Sequence, residues 1–496
     1  MSKVTKDFRN DSEEKTMKIL VLNGSPKGQY SVTLQTINYL QRLCPKHEFE
    51  ILHVGQQIKA LEKDFTPAAE AMKKARLIIF SYPVYTFIAP YQLHRFIELL
   101  KESGVSLEEK FVTQLTTSKH FYDVTAHRYI QDNCQDMGMK FIRGLSADMD
   151  YLLKEKGQKD AKEFLRFVFW SMKNDVYEPI PVKSEKNVEV KPVTVWDLEE
   201  GERTIQAEIS AARIGDNADM TNSNNDENMM SEGKQGDVVI VTDCEKDNVQ
   251  LQNMIQRFQK VFSRKTRVVN IREYPFIGGC IGCFNCAVSG KCIYIDKFDD
   301  FLRNEIQNAE AIVYAFSIKD HSMGAAFKLY DDRQFCNGHR TVTMGMPFGY
   351  LVSGEYSKEM NLQMILEARA QVGGNFLAGV ATDEVNPNES IDKMAASLNY
   401  ALEHKYVPPQ NFYGIGGMKI FRDLIWIMQG MMKADHKFYK AHGQYDFPQK
   451  EWTTMLKMYL VGGLISNPKI KAKMGNAMNE GMLIPYKKLL ESIDKK

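Results

Sequence analysis

Residues 18–33 read KILVLNGSPKGQYSVT and decide the first part of the fold. Residues 18–25 predict a buried strand, and the Gly, Ser and Pro that end it predict a sharp turn into a helix. A turn of small residues at this place leaves backbone N–H groups facing an anion, with the N-terminus of the next helix behind them. We therefore interpret residues 23–33 as a phosphate loop.

Several side chains of the phosphate loop are candidate phosphate ligands. Ser25, Ser31 and Thr33 carry hydroxyl groups, and Lys27 carries positive charge. The loop matches neither G-x-x-x-x-G-K-[ST] nor G-x-G-x-x-G, the patterns of polyphosphate and dinucleotide loops. A monophosphate tail fits it better, and an ordinary turn without a ligand is the alternative.

Outward from this loop, short apolar strands alternate with helical segments. Further strands are predicted at residues 49–54, 77–85, 111–117 and 140–145. Strands that alternate with helices over this length favour a doubly wound α/β fold, with a parallel sheet covered on both faces.

The pattern then repeats. The segments DVVIVTD, TRVVNIREY, AIVYAFSI, TVTMGMPFGYLVSG and NFLAGVAT are again strand-like. SVTLQ at 31–35 aligns with NVQLQ at 248–252. We predict a tandem duplication of one α/β domain, followed by helices. The predicted divisions are a polar tail (1–16), a first copy (17–150), a helical or irregular extension (151–212), a flexible linker (213–235), a second copy (236–410) and a helical C-terminal extension (411–496).

The C-terminal extension is basic, with 14 Lys and Arg against 7 Asp and Glu. We expect its helices to pack on a domain or on the partner in a homodimer. Peripheral contact with an anionic membrane is the alternative.

The composition excludes some classes of protein. The 496 residues are 44% hydrophobic and 26% charged, which is typical of globular proteins, and the net charge of +1 gives no reason to expect a nucleic-acid partner. The first sixteen residues lack the apolar core of a signal peptide, and the apolar runs are too short to span a bilayer. A cytoplasmic location is predicted.

Two more loops follow strands of the first copy. SYPVYTFIAP at 81–90 ends the third predicted strand, and TTSKHFYD at 116–123 follows the fourth. Ligands of open α/β sheets bind at the carboxyl ends of the strands, where these loops and the phosphate loop should meet. Their aromatic residues predict a site for a flat ring next to a phosphate.

Residues 17–145 resemble the flavodoxin-like NAD(P)H-dependent FMN reductases, through GSPK…SVT and SYPVY. Val32 stands where that family usually has Asn. The resemblance implies a sheet of order 2-1-3-4-5, with the phosphate of FMN at 25–33 and its ring against 83–87 and 117–121. The implied cofactor contacts are Ser25, Lys27, Ser31, Val32, Thr33, Pro83, Val84, Tyr85, Thr86, Phe87, Thr117, Ser118, Lys119 and His120.

Residues 278–292, GGCIGCFNCAVSGKC, form a cysteine loop with the spacing C-x2-C-x2-C-x5-C. Four thiolates at this spacing suit an iron–sulfur cluster and, less neatly, zinc, while vestigial or redox-active thiols are the alternative. The loop is similar to that of iron–sulfur flavoproteins, which implies a [4Fe–4S] cluster beside FMN. Its candidate ligands are Cys280, Cys283, Cys286 and Cys292.

The two copies depart from the family pattern in opposite places. The first copy lacks the cysteines, and the second has TDCEKDN in place of GSPKGQYS. Asp243 and Glu245 would there repel a phosphate. We therefore predict a fused pseudo-dimer that binds flavin in the first copy and carries the cysteines in the second.

The expected function is that of an NAD(P)H-dependent FMN oxidoreductase. A flavin accepts a hydride from NAD(P)H and releases single electrons, which a cluster could carry to a small-molecule or protein acceptor. No catalytic side chain is required. The alternatives are a quinone or nitro-compound reductase without a cluster, and a non-catalytic electron carrier that docks through its basic C-terminal helices.

Overall fold

The structure is a computed structural model that describes residues 16–179, 237–467 and 469. The predicted linker, nearly all of the N-terminal tail and the later part of the 151–212 extension lie outside the described residues. The chain divides into two compact units, residues 1–437 and 438–496. Both copies of the α/β domain belong to the first unit.

The first copy contains a parallel sheet in the order β2-β1-β3-β4-β5, as the resemblance implied. A sixth strand, β6, also pairs with β4, so the single strand predicted at 140–145 is two short strands on either side of a break. The strands are β1 (Lys18–Asn23), β2 (Glu48–Leu52), β3 (Leu77–Pro83), β4 (Phe111–Ser118), β5 (Lys140–Phe141) and β6 (Leu145–Asp148).

Helices cover both faces of this sheet, because its central strands are apolar on both sides. Ile19 and Val21 of β1 pack in one core with Leu165 of the last helix, while Leu20 and Leu22 pack in another. That last helix lies in the extension after residue 150 and closes one face of the sheet. The helices are α1 (Val32–Leu43), α2 (Val54–Leu61), α3 (Thr66–Lys74), α4 (Tyr91–Glu102), α5 (Asp123–Asp136) and α6 (Glu155–Lys173).

The second copy has the same topology, with the strand order β11-β10-β9-β7-β8. One strand differs from its prediction: TVTMGMPFGYLVSG forms a strand only from Phe348, and turns precede it. The strands are β7 (Val238–Thr242), β8 (Thr266–Asn270), β9 (Ala311–Ser317), β10 (Phe348–Ser353) and β11 (Leu377–Thr382). The helices are α7 (Val249–Val261), α8 (Asn285–Ser289), α9 (Phe298–Phe301), α10 (Gly324–Arg333), α11 (Met360–Gly373) and α12 (Pro387–His404).

The two copies correspond in local detail. Ser31 accepts a hydrogen bond from the backbone N–H of Leu34, and Asn248 accepts one from Leu251, so equivalent residues cap α1 and α7. After the third strand of each copy, a turn with two positive φ angles follows. These φ values are 42° and 71° at residues 86–87, and 52° and 62° at residues 320–321.

After the second copy, the structure describes three helices up to residue 467: α13 (Phe412–Ile427), α14 (Lys433–Ala441) and α15 (Trp452–Ile465). In the first unit, α13 packs against α11 and buries Ile425, a residue of the predicted apolar face. α15 belongs to the second unit. In the part of the chain that the structure describes, no helix combines the length and apolar character needed to cross a membrane.

Candidate functional site

The phosphate loop and the loop after β4 lie side by side. The hydroxyl of Thr117 donates a hydrogen bond to the hydroxyl of Thr33, with 2.6 Å between the oxygens, and both residues are buried. Residues 84 apart in the chain thus meet at the carboxyl edge of the sheet. The third loop follows β3, the strand between β1 and β4.

Asn23, the last residue of β1, holds the phosphate loop in shape. Its side-chain amide donates to the carbonyl of Gly28 at 2.9 Å, and its oxygen accepts from the N–H of Ser25 at 3.2 Å. Gly28 has a φ of 54°, a value that favours glycine. Asn23 is absent from the predicted ligands, although a polar residue at the end of an apolar strand could have indicated it.

Several N–H groups of the phosphate loop are bonded inside it. The N–H groups of Gly28, Tyr30 and Ser31 donate to carbonyls of the same loop at 3.1 Å. Further donors for an anion are the N–H groups in the first turn of α1, apart from that of Leu34, and the side chains of the loop. Among these side chains, the Lys27 ammonium lies 5.3 Å from the centre of the Phe284 ring, in the cysteine loop.

A cavity of about 320 Å³, within the size range of cofactor pockets, lies at the loops after β3 and β4, and none of its lining residues belongs to the phosphate loop. The second copy and α13 contribute much of its wall. Five of the predicted ring contacts line it: Val84, Thr86, Phe87, Ser118 and Lys119. The other walls include Phe284, residues 337–343, Phe421, Leu424 and Met428. No sequence pattern indicates these walls, because they come from distant parts of the chain.

Two of the predicted contacts point elsewhere. Tyr85 lines a different cavity, together with the cysteine loop, and burial raises the pKa of its hydroxyl well above the ordinary value. His120 is half exposed, and its Nδ1 lies 2.8 Å from the carboxylate of Asp123. Lys119 pairs with Asp148 at 2.5 Å, so its ammonium is held at the edge of the 320 Å³ cavity.

The second copy fixes the turn that carries Thr86. The hydroxyl of Thr86 bonds to the carboxylates of Asp331 and Asp332 and to the ammonium of Lys328. Lys328 also donates to the carbonyl of Tyr85 at 3.1 Å. A turn with two positive φ angles in non-glycine residues is strained, and these contacts hold it in place.

This group of charges is deeply buried. Lys328 and Asp332 are both 0% exposed and lie 2.5 Å apart. Burial alone would raise the pKa of Asp331, but Arg369 and Lys328 outweigh it and hold that pKa at about 2. Burial raises the pKa of Asp332. Arg369 completes the group by donating to the carbonyl of Thr86 at 3.2 Å.

The cysteine loop lies against the first copy and encloses a second cavity, of about 120 Å³. Tyr85 meets this loop closely, since a Cβ at Gly282 would overlap the Tyr85 hydroxyl. Arg333 approaches the sulfur of Cys292 at 3.9 Å. All four predicted ligands line the cavity, joined by Cys336, which the motif does not include: Cys280, Cys283, Cys286, Cys292 and Cys336.

The cysteines do not form a metal site in this arrangement. Among the residues that the structure describes, no group of three or more His, Cys, Asp or Glu side chains could hold a metal ion. Burial raises the pKa of Cys280, and raises that of Cys286 to about 11. Cys283 is exposed.

The second copy has a larger, polar cavity at the position of its altered phosphate loop. This cavity has a volume of about 630 Å³, and Asp243 and Glu245 lie in its wall. Burial raises the pKa of Asp243 to about 7, and Arg272 pairs with Glu245 at 2.6 Å. In the second copy, carboxylates therefore line the position that is equivalent to the phosphate loop of the first copy.

Three solved structures illustrate what the chain is similar to. An apo NADH:FMN oxidoreductase is 18% identical, with 32% of this chain and 90% of that chain covered and a TM-score of 0.28. General stress protein 14 from Treponema denticola, in complex with FMN, is 10% identical, with 31% of this chain and 98% of that chain covered and a TM-score of 0.26. An NAD(P)H:quinone oxidoreductase from Methanothermobacter marburgensis is 11% identical, with 34% of this chain and 100% of that chain covered and a TM-score of 0.24.

No curated protein matches the chain. One family model does match, and it covers the first copy together with the beginning of α6. Its match includes the phosphate loop and the loops after β3 and β4, and it ends before the second copy begins. Residues 17–159 match the family described as Flavodoxin-like fold.

Proposed function

We propose that this protein is an NAD(P)H-dependent oxidoreductase that binds FMN at the carboxyl edge of the first sheet. The observation that carries the proposal is the contact between Thr33 and Thr117, because Ser118, the residue after Thr117, lines a cavity of about 320 Å³. A loop with phosphate donors and a pocket of cofactor size thus share one edge of the sheet, where ligands of such folds bind.

The phosphate of FMN would lie at the N-terminus of α1. Its donors would be the hydroxyls of Ser25, Ser31 and Thr33, the Lys27 ammonium and the first-turn amides of α1. The partial positive charge at a helix N-terminus favours an anion there. Val32 adds no side-chain hydrogen bond, so this site has one donor fewer than a family member with Asn at that position.

The flavin ring would lie in the 320 Å³ cavity. Phe87 supplies apolar surface, and Ser118 supplies a hydroxyl at the wall. Lys119, held by Asp148, places positive charge beside the ring. Phe284 and Phe421, from outside the first copy, add aromatic surface to the cavity wall. Bound FMN would supply the redox chemistry, which is to accept a hydride from NAD(P)H and deliver electrons to a small-molecule or protein acceptor.

The proposal includes no iron–sulfur cluster. The cysteines surround a small cavity, but no three candidate ligands of the described residues are arranged for a metal. Electron transfer is therefore assigned to the flavin site alone, and the cysteine loop acts as a wall over Lys27 and Tyr85.

Flavin titration of the full-length protein tests the proposal. FMN fluorescence should be quenched on binding, and the protein should oxidise NADH or NADPH when an electron acceptor is present. Lys27→Ala should weaken FMN binding by roughly tenfold or more, because a hydrogen bond to a charged group is lost. The matched control is Lys246→Ala, in the equivalent loop of the second copy. Failure to bind FMN at high excess, or equal weakening by both variants, would contradict the proposal.

A further inference from the structure

Helix α15 exposes apolar side chains to solvent. It runs for 14 residues from Trp452 to Ile465, and each side chain described in it is exposed. Trp452 is 64% exposed, Tyr459 81% and Leu460 65%. A Cβ added at Gly462 or Gly463 would meet nothing within 4 Å. Within the described residues of the second unit, this helix therefore has no surface to pack on.

The apolar residues of α15 are not confined to one side. A helix that packs on a protein normally has one apolar stripe and a polar opposite face. Lys457 is the single charged residue in WTTMLKMYLVGGLI, and the large apolar side chains project in all directions around the axis. The exposed ones are Trp452, Met455, Leu456, Met458, Tyr459, Leu460, Val461 and Leu464. Such a helix favours immersion in an apolar medium over docking on a flat protein surface.

The positive charge of the second unit indicates which apolar medium the helix would enter. Residues 438–496 contain ten Lys and no Arg, against five Asp or Glu. Lys450 and Lys469 flank the helix, and Lys457 lies within it. Basic residues next to an apolar segment are attracted to the negative surface of a bilayer with anionic lipids. Two copies of this lysine-rich unit would instead repel each other.

We propose that α15 binds the surface of a membrane that contains anionic phospholipids. At 1.5 Å per residue the helix is about 21 Å long, shorter than the ~30 Å hydrocarbon core, so it enters the interface and does not cross. Trp452 at its start and Tyr459 in its middle are residues that favour the level of the lipid headgroups. The proposal is independent of the flavin site.

Co-sedimentation with lipid vesicles tests the proposal on the full-length protein. The protein should bind vesicles of phosphatidylcholine mixed with phosphatidylglycerol, and much less those of phosphatidylcholine alone. Added salt should weaken the binding, because it screens the lysines. The triple variant Trp452→Ser, Leu456→Ser, Leu460→Ser should abolish it, and Lys450→Ala with Lys457→Ala should weaken it roughly 25-fold, at about fivefold per lysine.

Met360→Ser is the matched control, since Met360 is 78% exposed but lies on α11 in the first unit. It should leave vesicle binding unchanged, and the midpoint of urea unfolding should show that every variant is folded. Equal binding to both vesicle types, or binding that survives the triple substitution, would overturn the proposal. A third result would also overturn it: light scattering shows a dimer that the triple substitution dissociates, and neither the parent nor the variant binds vesicles.

Discussion

The carboxylate of Asp332 accepts a hydrogen bond from the backbone N–H of Tyr91 at 2.7 Å, across the boundary between the two copies. The reverse contact also exists: Glu98 accepts from the N–H of Ala325 at 2.8 Å. Each copy thus caps the helix that follows the third strand of the other, α4 or α10. Because helix N-termini have unpaired N–H groups, these contacts join the copies through groups that would otherwise lack partners.

Asp332→Ala should strongly destabilise the protein. The substitution removes the cap of α4 and leaves the fully buried Lys328 with one of its two carboxylates. Breaking a buried pair costs about 3–5 kcal/mol. The measurement is urea unfolding, with Glu355→Ala as the control, because Glu355 pairs with Lys358 at the surface. The control should cost less than about 1 kcal/mol, and equal losses in both variants would contradict the expected role of Asp332.

Gly282→Ala should disturb the contact between the cysteine loop and the first copy. Gly104 is the matched control, since both glycines have a φ of 63° but a Cβ at Gly104 would meet nothing within 4 Å. Gly104→Ala should cost only the strain of a left-handed residue, about 1–2 kcal/mol. Gly282→Ala should cost more, because its Cβ overlaps the Tyr85 hydroxyl.

A second substitution checks that cause. Tyr85→Phe removes the hydroxyl that the new methyl group would overlap. The double variant Gly282→Ala, Tyr85→Phe should therefore recover part of the lost stability in thermal unfolding. No recovery, relative to Tyr85→Phe alone, would show that the overlap is not the source of the cost.

Asp243 should make the protein less stable as the pH rises from about 4 to about 7. Burial raises its pKa from 3.8 to about 7, so in this window the folded protein keeps a proton that the unfolded chain has released. Stability from this group is present at low pH and is lost as the pH approaches 7. At 1.36 kcal/mol per pKa unit, the loss is roughly 4 kcal/mol.

Asp243→Asn removes this titration. The free energy of urea unfolding, measured from pH 4.5 to 8 (roughly the span of the two pKa values), should fall less steeply with pH in the variant than in the parent. Identical pH dependence in the two proteins would mean that Asp243 is ionised throughout.

Cys283 should react first with a thiol reagent such as iodoacetamide. It is exposed, whereas Cys44, Cys134, Cys244 and Cys336 are buried. Mass spectrometry of protein purified without oxygen should find one fast-labelling site, and Cys283→Ser should remove it. Slow labelling of Cys283 together with bound iron would contradict its exposed position and would favour an iron–sulfur cluster.

The alternation of strands and helices was sufficient to predict an α/β fold with two parallel sheets, because that pattern is local. The strand predicted from Thr341 was wrong at its start, since Val342, Met344 and Met346 alternate like a strand but lie in or just after turns that precede the strand. Pro347 precedes the true strand and cannot donate a hydrogen bond to a sheet.

The cofactor contacts named from the sequence stay a prediction, but the meeting of their loops could be predicted. The three loops of the first copy follow from strand order, and Thr33 and Thr117 are indeed in contact. The orientation of Tyr85 could not be predicted, because the positive φ of Thr86 depends on Lys328 and Asp331, more than 240 residues away. The wall formed by Phe421 has the same origin in distant packing.

The reciprocal caps limit how the gene could be divided. A shortened protein ending at residue 179 would expose Thr86 and Glu98 to water and leave the N-terminus of α4 without Asp332. The other half would expose the charged side chains of Lys328 and Asp331 to water. We therefore expect neither half to be stable by itself. A circular permutant, which keeps both halves in one chain, should retain these contacts.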